Sequence, residues 1–306
     1  MSQTPSTLQD VPQRTCAIRV RNLVQTFGGP RAVLDGINLD VYNGETIVIM
    51  GGSGCGKSTL LRHLIGSLQP DSGTIELMGQ SVIGVSEEQL NEVRKKIGIL
   101  FQSGALFNSM SLRENIALIL MEHTDLSEEI IDIMVKIKLE MVGLREHAQK
   151  LPSEISGGMK KRAGLARALA LDPQILFYDE PSAGLDPVTS AEIDQLMIRL
   201  SRDLGVTSVV VTHEMDSAFT IADRMVMLDK GRVLKIGTRE EFETIRDSTA
   251  NDLTNDEALI RQFLTGSFEG PLTERKQTSN YAEDLLGLVA PQIASRPAVT
   301  PTRAKV

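Results

Sequence analysis

Cysteine is scarce, with Cys16 and Cys55 alone among 306 residues. They form no metal-ligand spacing, and one lies in a glycine loop where a disulfide would obstruct a ligand, which points to a reducing, cytosolic compartment. Positive charge is short as well. The formal net charge is −8, so no overall basic field draws the chain to nucleic acid or to an anionic membrane surface, and only local basic patches remain open. Long apolar runs are missing. The longest purely apolar stretch, residues 116–121, is far below the about 20 residues that a helical membrane span requires. Residues 1–14 are polar and lack the apolar core of a signal peptide, so the expectation is a chain that neither crosses a membrane nor is exported. No internal repeat is visible, which predicts one core per chain.

What is present suits a folded α/β protein. The chain is 41% hydrophobic and 24% charged, enough for one large domain or two modest ones.

The stretch around which the rest is organised is Gly51-Gly52-Ser53-Gly54-Cys55-Gly56-Lys57-Ser58-Thr59. An apolar run, Thr46-Ile47-Val48-Ile49-Met50, precedes it, and the apolar-periodic segment 60–64 follows. Strand, glycine loop and helix in that order form a P-loop in its proper setting. A polyphosphate needs several backbone N–H groups aimed at one spot, and glycine lets the chain curl that tightly. Lys57 is then expected to reach the β- and γ-phosphates and Ser58 to hold Mg²⁺, with the positive end of the helix adding to the same site. The plain alternative is a glycine-rich turn with a lysine nearby, and the flanking strand and helix argue against it. Cys55, among N–H donors just before a helix N-terminus, is predicted to have a lowered thiol pKa and to react faster than Cys16 unless ATP covers it.

Elsewhere, residues 17–23 and 33–41 alternate apolar and polar as half-buried strands, and Asn43-Gly44 closes the second, which predicts a small antiparallel sheet before the P-loop strand. Pro70-Asp71-Ser72-Gly73 reads as a turn and residues 74–78 as a further strand. An apolar strand at 97–101 leads to a middle third of helical periodicity over 111–142, with a cap-like start at Ser127-Glu128-Glu129-Ile130. Strands at 175–178, 208–212 and 224–228 then alternate with helical stretches, the pattern of a parallel sheet with crossover helices. The compact part is expected to end near Ile245. Beyond it lie one amphipathic piece (256–264) and, from Gly287, a Pro-rich run with basic residues and no acid, the composition of a disordered tail.

Three further signals are weak singly. The strand at Leu176-Phe177-Tyr178 ends in Asp179-Glu180, one acid to bind metal water and the next to orient attacking water, although paired acids after a strand are commonly a solvated strand end. Thr212-His213 closes the following strand, where a histidine could contact a γ-phosphate or simply be structural. Ser156-Gly157-Gly158 precedes a helix as an anion-binding start or as an ordinary cap.

In order, the P-loop, strand-end Gln102, Ile155-Ser156-Gly157-Gly158-Met159, Asp179-Glu180, Ala183-Gly184-Leu185-Asp186 and His213 resemble the Walker A, Q-loop, signature, Walker B, D-loop and H-loop of ATP-binding cassette (ABC) ATPases. The resemblance covers about residues 17–240. It implies an α/β fold: a RecA-like P-loop NTPase core over 15–247 with an antiparallel β subdomain and an α-helical subdomain at about 103–172. A disordered N-terminus (1–14) precedes it, and a C-terminal extension (248–306), dimer-contacting and then disordered, follows. By the same resemblance, ATP and Mg²⁺ are the cofactors. Phe27 stacks on adenine; residues Gly51 to Thr59 hold phosphate; Ser58, Gln102 and Asp179 serve the metal; Glu180 acts as general base, with His213 and Gln102 completing the catalytic set. Ser156, Gly157, Gly158 and Asp186 join the nucleotide-contacting set, and Ser156 and Gly158 face nucleotide bound to the other subunit, so working sites need two copies.

Met159 stands where the wider family usually has glutamine. With residues 100–107, Met159-Lys160-Lys161-Arg162 and Ala222-Asp223-Arg224, it is similar to the ATPases of Mla/Mce-type lipid transporters, and so are Gln262-Phe263-Leu264-Thr265-Gly266, Glu269-Gly270-Pro271 and residues 281–286. That resemblance implies a homodimer on the cytoplasmic face of the inner membrane, bound to an MlaE-like integral membrane permease, with an Mce-domain substrate-binding protein and a small accessory subunit, and no nucleic acid. One alternative keeps the ATPase and changes the cargo to another small solute. A remoter one is an ABC ATPase acting on DNA or the ribosome, but fused cassettes, zinc insertions and long coiled coils are all missing from this sequence.

Overall fold

The computed structural model describes residues 15–29, 31–249 and 253–273. The expected disordered N-terminus, the 281–286 motif and the tail after Gly287 lie outside the described residues.

The P-loop strand is the axis of the molecule. β3 (Thr46–Gly51) is buried along its whole length, as expected of a near-continuous aliphatic run covered on both faces. It runs parallel to β8 (Thr207–Val211) on one side and β9 (Arg224–Asp229) on the other. β7 (Ile175–Asp179) and β6 (Ile97–Leu100) continue the parallel sheet, and β10 (Arg232–Thr238) closes the far edge antiparallel to β9, giving the order β10-β9-β3-β8-β7-β6.

Side chains of a strand alternate between faces, and β3 divides accordingly between two cores. Ile47 and Ile49 join a cluster with β1 (Cys16–Gln25), β2 (Leu34–Tyr42), β4 (Ser72–Leu77), α1 (Lys57–Leu64) and α2 (Glu87–Arg94). β1, β2 and β4, with the short β5 (Gln80–Ser81), form the separate antiparallel sheet β2-β1-β4-β5. Val48 and Met50 face the opposite way, into a cluster with α3 (Leu112–His123), α4 (Glu128–Met141), α5 (Gly157–Ala168), α6 (Pro187–Leu204), α7 (Met215–Ile221), α8 (Arg239–Asp247) and α9 (Asn255–Thr265).

Most of the expected elements are present, with four differences. The 111–142 periodicity resolves into α3 and α4, broken at Thr124, whose extended backbone (φ −141°) ends α3. Ser127 occupies the N-cap position of α4 but makes no side-chain cap bond; the reciprocal capping box belongs to Ser111 and Glu114 at α3 instead. α2 and β10 carry too little apolar periodicity to be read, since α2 buries only Leu90 and Val93 and β10 is a half-buried edge. Packing continues past Ile245: α9 rests on α8 and places Ile260, fully buried, in the same core.

Candidate functional site

The chemistry-bearing residues gather at the carboxyl ends of the parallel strands, where open α/β sheets place their ligands. Ile49 of β3 is level with Val211 of β8, and Val211 with Asp179 of β7. Leu100 of β6 is level with Tyr178, so Gln102 and Glu180 each lie two residues past a matched pair of strand positions.

The P-loop is shaped by contacts that only glycine permits. Gly51 has φ +150°, and a Cβ there would run into the Leu228 carbonyl and come within 2.7 Å of Cys55 Sγ. Gly56 has φ +112°, and a Cβ would lie 2.8 Å from the Val33 carbonyl oxygen. The Gly231 N–H donates to the Cys55 carbonyl (3.0 Å), and Gly231 in turn accepts from the Asp35 N–H (2.8 Å). The start of β2 and the β9–β10 turn thus brace the loop from outside. Gly56 is the N-cap of α1, with no side-chain cap and no acidic residue in the first turn. The first-turn N–H groups and the positive dipole end therefore remain available to an anion. Lys57 Nζ donates to the carbonyls of Gly51 (2.8 Å) and Gly52 (3.2 Å), folded over the loop.

The expected reactivity of Cys55 is overturned. Its side chain is 5% exposed and packs beneath the loop in the apolar cluster shared with Ile49 and Leu60. Burial pushes its thiol pKa up, and the nearby Lys57 charge offsets this only in part. A residue beside a helix N-terminus gains thiolate character only if its sulfur faces the dipole in a polar setting, and this one faces hydrocarbon.

Asp179 is half-buried, and desolvation, followed by the adjacent Glu180 charge, pushes its carboxyl up, against the opposing pull of Lys161, Arg62 and Lys57. Glu180 sits in the left-handed region (φ +49°), a conformation that costs a non-glycine residue about 1–2 kcal/mol and has to be held. Its N–H donates to the Val211 carbonyl (2.9 Å) and its carbonyl accepts from Lys161 Nζ (2.8 Å). Its Oε2 faces His213 Nδ1 at 2.8 Å and accepts from the His213 N–H at 3.3 Å. With Glu180 ionised its carboxylate can only accept, so Nδ1 would be the donor in this pair.

Ser156 is the N-cap of α5, and its Oγ accepts from the Met159 N–H (3.3 Å). Gly158 has no room for a side chain, since its Cβ would lie 2.5 Å from Thr189 Cγ2 on α6. Gly157 has a looser fit, with Leu185 at 3.4 Å. Asp186 caps α6, one oxygen accepting from Val188 and Thr189 N–H (both 3.1 Å) and the other from the Thr189 hydroxyl (2.6 Å). Gln102 is exposed at the sheet edge. The chain after it is anchored on α5, where Arg167 donates to the Ala105 carbonyl (2.6 Å) and a Cβ on Gly164 would lie 2.9 Å from the Gly104 carbonyl oxygen. Phe27 is 57% exposed on the turn after β1.

Two buried charges here were not anticipated. In the sequence Lys161 stands out only as part of Met159-Lys160-Lys161-Arg162, because nothing in its spacing shows that the carbonyl of a residue 19 positions away accepts its hydrogen bond. Asp194 of α6 is buried and accepts from Ser217 of α7 (2.6 Å), which ties the helix after Asp186 to the helix after His213; an acid on an amphipathic helix otherwise reads as solvated.

Comparison with known proteins agrees with this geometry. A family model described as ABC transporter matches residues 34–183. The "Intermembrane phospholipid transport system ATP-binding protein MlaF" of Haemophilus influenzae is 42% identical over 88% of this chain and 97% of its own length. The "Probable ribonucleotide transport ATP-binding protein mkl" of Mycobacterium leprae is 44% identical over 88% of this chain and 75% of its own. Among solved structures, a dimeric ATP-binding cassette in a post-hydrolysis state with ADP and Pi aligns with a TM-score of 0.67 and 31% identity, covering 72% of this chain and 98% of that one. A loop that only glycine can form, paired acids two strands away and a capped Ser-Gly-Gly helix are thus found in a chain of matching length and sequence: it belongs to the ATP-binding proteins of the ABC transporter family.

Proposed function

We propose that this chain hydrolyses ATP to power phospholipid transport between membranes, working as a head-to-tail dimer on a separate integral membrane permease. The observation that carries the ATPase part is the common sheet edge of the P-loop, Asp179-Glu180 and His213. Near-complete overlap with the phospholipid-transport relative, 97% of its length against 75% of the mkl relative, supports the lipid cargo, as do Met159 and the 262–271 segment. No helix among the described residues is long and apolar enough to cross a membrane, in keeping with a permease supplied by another chain. An Mce-domain protein and a small accessory subunit complete the proposed assembly at the cytoplasmic face of the inner membrane.

The uncapped start of α1 and the glycine cradle fit a polyphosphate, and Ser58, Gln102 and Asp179 would hold Mg²⁺, which would neutralise phosphate charge. Glu180 would accept the proton of the attacking water, kept in line by His213 and Lys161. His213 would also approach the γ-phosphate. Phe27, uncovered by its own chain, would stack on adenine. Ser156 and Gly158 would contact nucleotide bound to the partner, and Asp186 would hold the adjoining loop through its cap.

The composite site is tested by mixing. Ser156→Arg should bind nucleotide as an isolated subunit yet fail to hydrolyse it, and mixing with Lys57→Ala should restore at most one competent site per dimer. Full activity in a Ser156→Arg homodimer would remove the model. Cargo is tested by affinity capture from detergent-solubilised membranes with mass spectrometry of proteins and lipids. The 44% identity to a relative named for ribonucleotide transport favours, as a second reading, a different solute on the same ATPase, and recovery of a permease without phospholipid would support it.

A further inference from the structure

Lys161 is an unexpected residue to bury. It lies on α5 with 5% exposure, and burying an ammonium is costly unless the fold uses it. No carboxylate oxygen lies within ion-pair distance of its Nζ among the described ion pairs; the ammonium donates instead to a backbone carbonyl, that of Glu180, at 2.8 Å. The charges facing it are Asp179, Glu180 and Glu214. Glu180 is held at φ +49°, so the acceptor of this bond is the residue whose backbone most needs holding. Four residues before Lys161 is Gly157, the first residue of the same helix, about 6 Å away along the axis.

We propose that Lys161 is a positioning residue for hydrolysis, which fixes the backbone of Glu180 from the helix whose N-terminus faces the partner's nucleotide. The inference rests on the composite-site reading above and deepens it. α5 is a stiff link, because Gly158 is wedged against Thr189, Gly164 against Gly104, and Arg167 against Ala105. A displacement at Ser156 when the partner's nucleotide is engaged would therefore reach Glu180 through one bond. In this subunit, with that bond in place, Oε2 lies 2.8 Å from His213 Nδ1. The two sites of a dimer would communicate through a lysine that contacts neither nucleotide.

The test uses the full chain, a fluorescent ATP analogue for binding and steady-state ATPase assays. Lys161→Met should lower kcat at least 10-fold, with KM and the analogue's Kd within twofold of wild type. Lys161→Arg should recover at least a third of kcat, because a guanidinium also donates to a carbonyl. In a Glu180→Gln background, Lys161→Met should change the residual turnover less than twofold, which a general loss of structure would not reproduce. If Lys161→Met does not fold, Lys161→Gln, too short to reach the carbonyl, takes its place with the same expectation. Wild-type kcat in whichever variant folds, or an additive loss in the Glu180→Gln background, overturns the proposal. Absence of ATPase activity in the wild-type chain would instead refute the composite-site reading on which it rests.

Discussion

His213 and Glu180 are joined twice: the imidazole Nδ1 lies 2.8 Å from Oε2, and the His213 backbone N–H donates to that same oxygen at 3.3 Å. One oxygen of the carboxylate is thus fixed by the strand-end histidine.

Glu180→Gln should retain ATP binding and lose kcat by a factor of about 10² to 10⁴, the usual contribution of a general base. His213→Ala should lose less, about 10-fold, because Glu180 keeps its backbone bonds to Val211 and Lys161. The double variant should be slower than Glu180→Gln alone by less than the His213→Ala factor, since part of the histidine's effect runs through the same proton transfer and part through the γ-phosphate. Rapid-quench single turnovers would check this, and fully additive losses would show that the histidine does not act through Glu180.

Gly51→Ala should destabilise the chain by at least about 2 kcal/mol and abolish nucleotide binding, because φ +150° and the Leu228 carbonyl both exclude a side chain. Urea titration reads the first effect and a fluorescent ATP analogue the second. Wild-type stability would mean that the loop can relax away from β9.

Thiol labelling of the folded protein by maleimide should favour Cys16, which is half-buried, over Cys55, which is enclosed. Burial pushes both thiols up, with the Asp40 charge adding to the effect at Cys16, so labelling should be slow at neutral pH and both should react readily in denaturant. Rapid modification of Cys55 in the native state, followed by peptide mapping, would contradict the packing beneath the loop.

Asp194 gives a pH dependence. Burial, and to a lesser degree the Glu214 charge, raise its pKa, while the Ser217 hydroxyl lowers it. A carboxyl with a raised folded-state pKa contributes stability that is fully present below its unfolded pKa and lost as pH rises through the folded value. Asp194→Asn, which resembles the protonated form, should therefore gain on wild type in thermal melts as pH rises from 4 to 7. A gain that shrinks over that range would show that the carboxylate is better solvated than its burial indicates.

Residues differ in how far their surroundings could be read from sequence. The P-loop was legible because tight phosphate loops demand glycine locally. β3, β7 and β8 were legible because burial on both faces leaves an uninterrupted aliphatic run. The acids at the end of β7 could be placed because a strand carries its terminus to a known edge. Cys55 could not, since adjacency to a helix start does not say which way a sulfur points, and here the Leu228 backbone and Gly51 steer it inward. α9 was visible as an amphipathic piece, but only the apolar face of α8 shows that it completes the main core. A deletion starting at 256 would therefore remove core side chains such as Ile260, and a tail experiment should cut after residue 273.

The bracing of the phosphate loop by Val33 and Gly231 has a kinetic consequence. A loop already held in shape by two distant segments loses little conformational freedom when ligand arrives. Encounter with nucleotide should then require no slow rearrangement, and affinity differences among variants should show mainly as changes in residence time. Substitutions at Val33 or Gly231, neither of them a proposed ligand, should shorten that residence time.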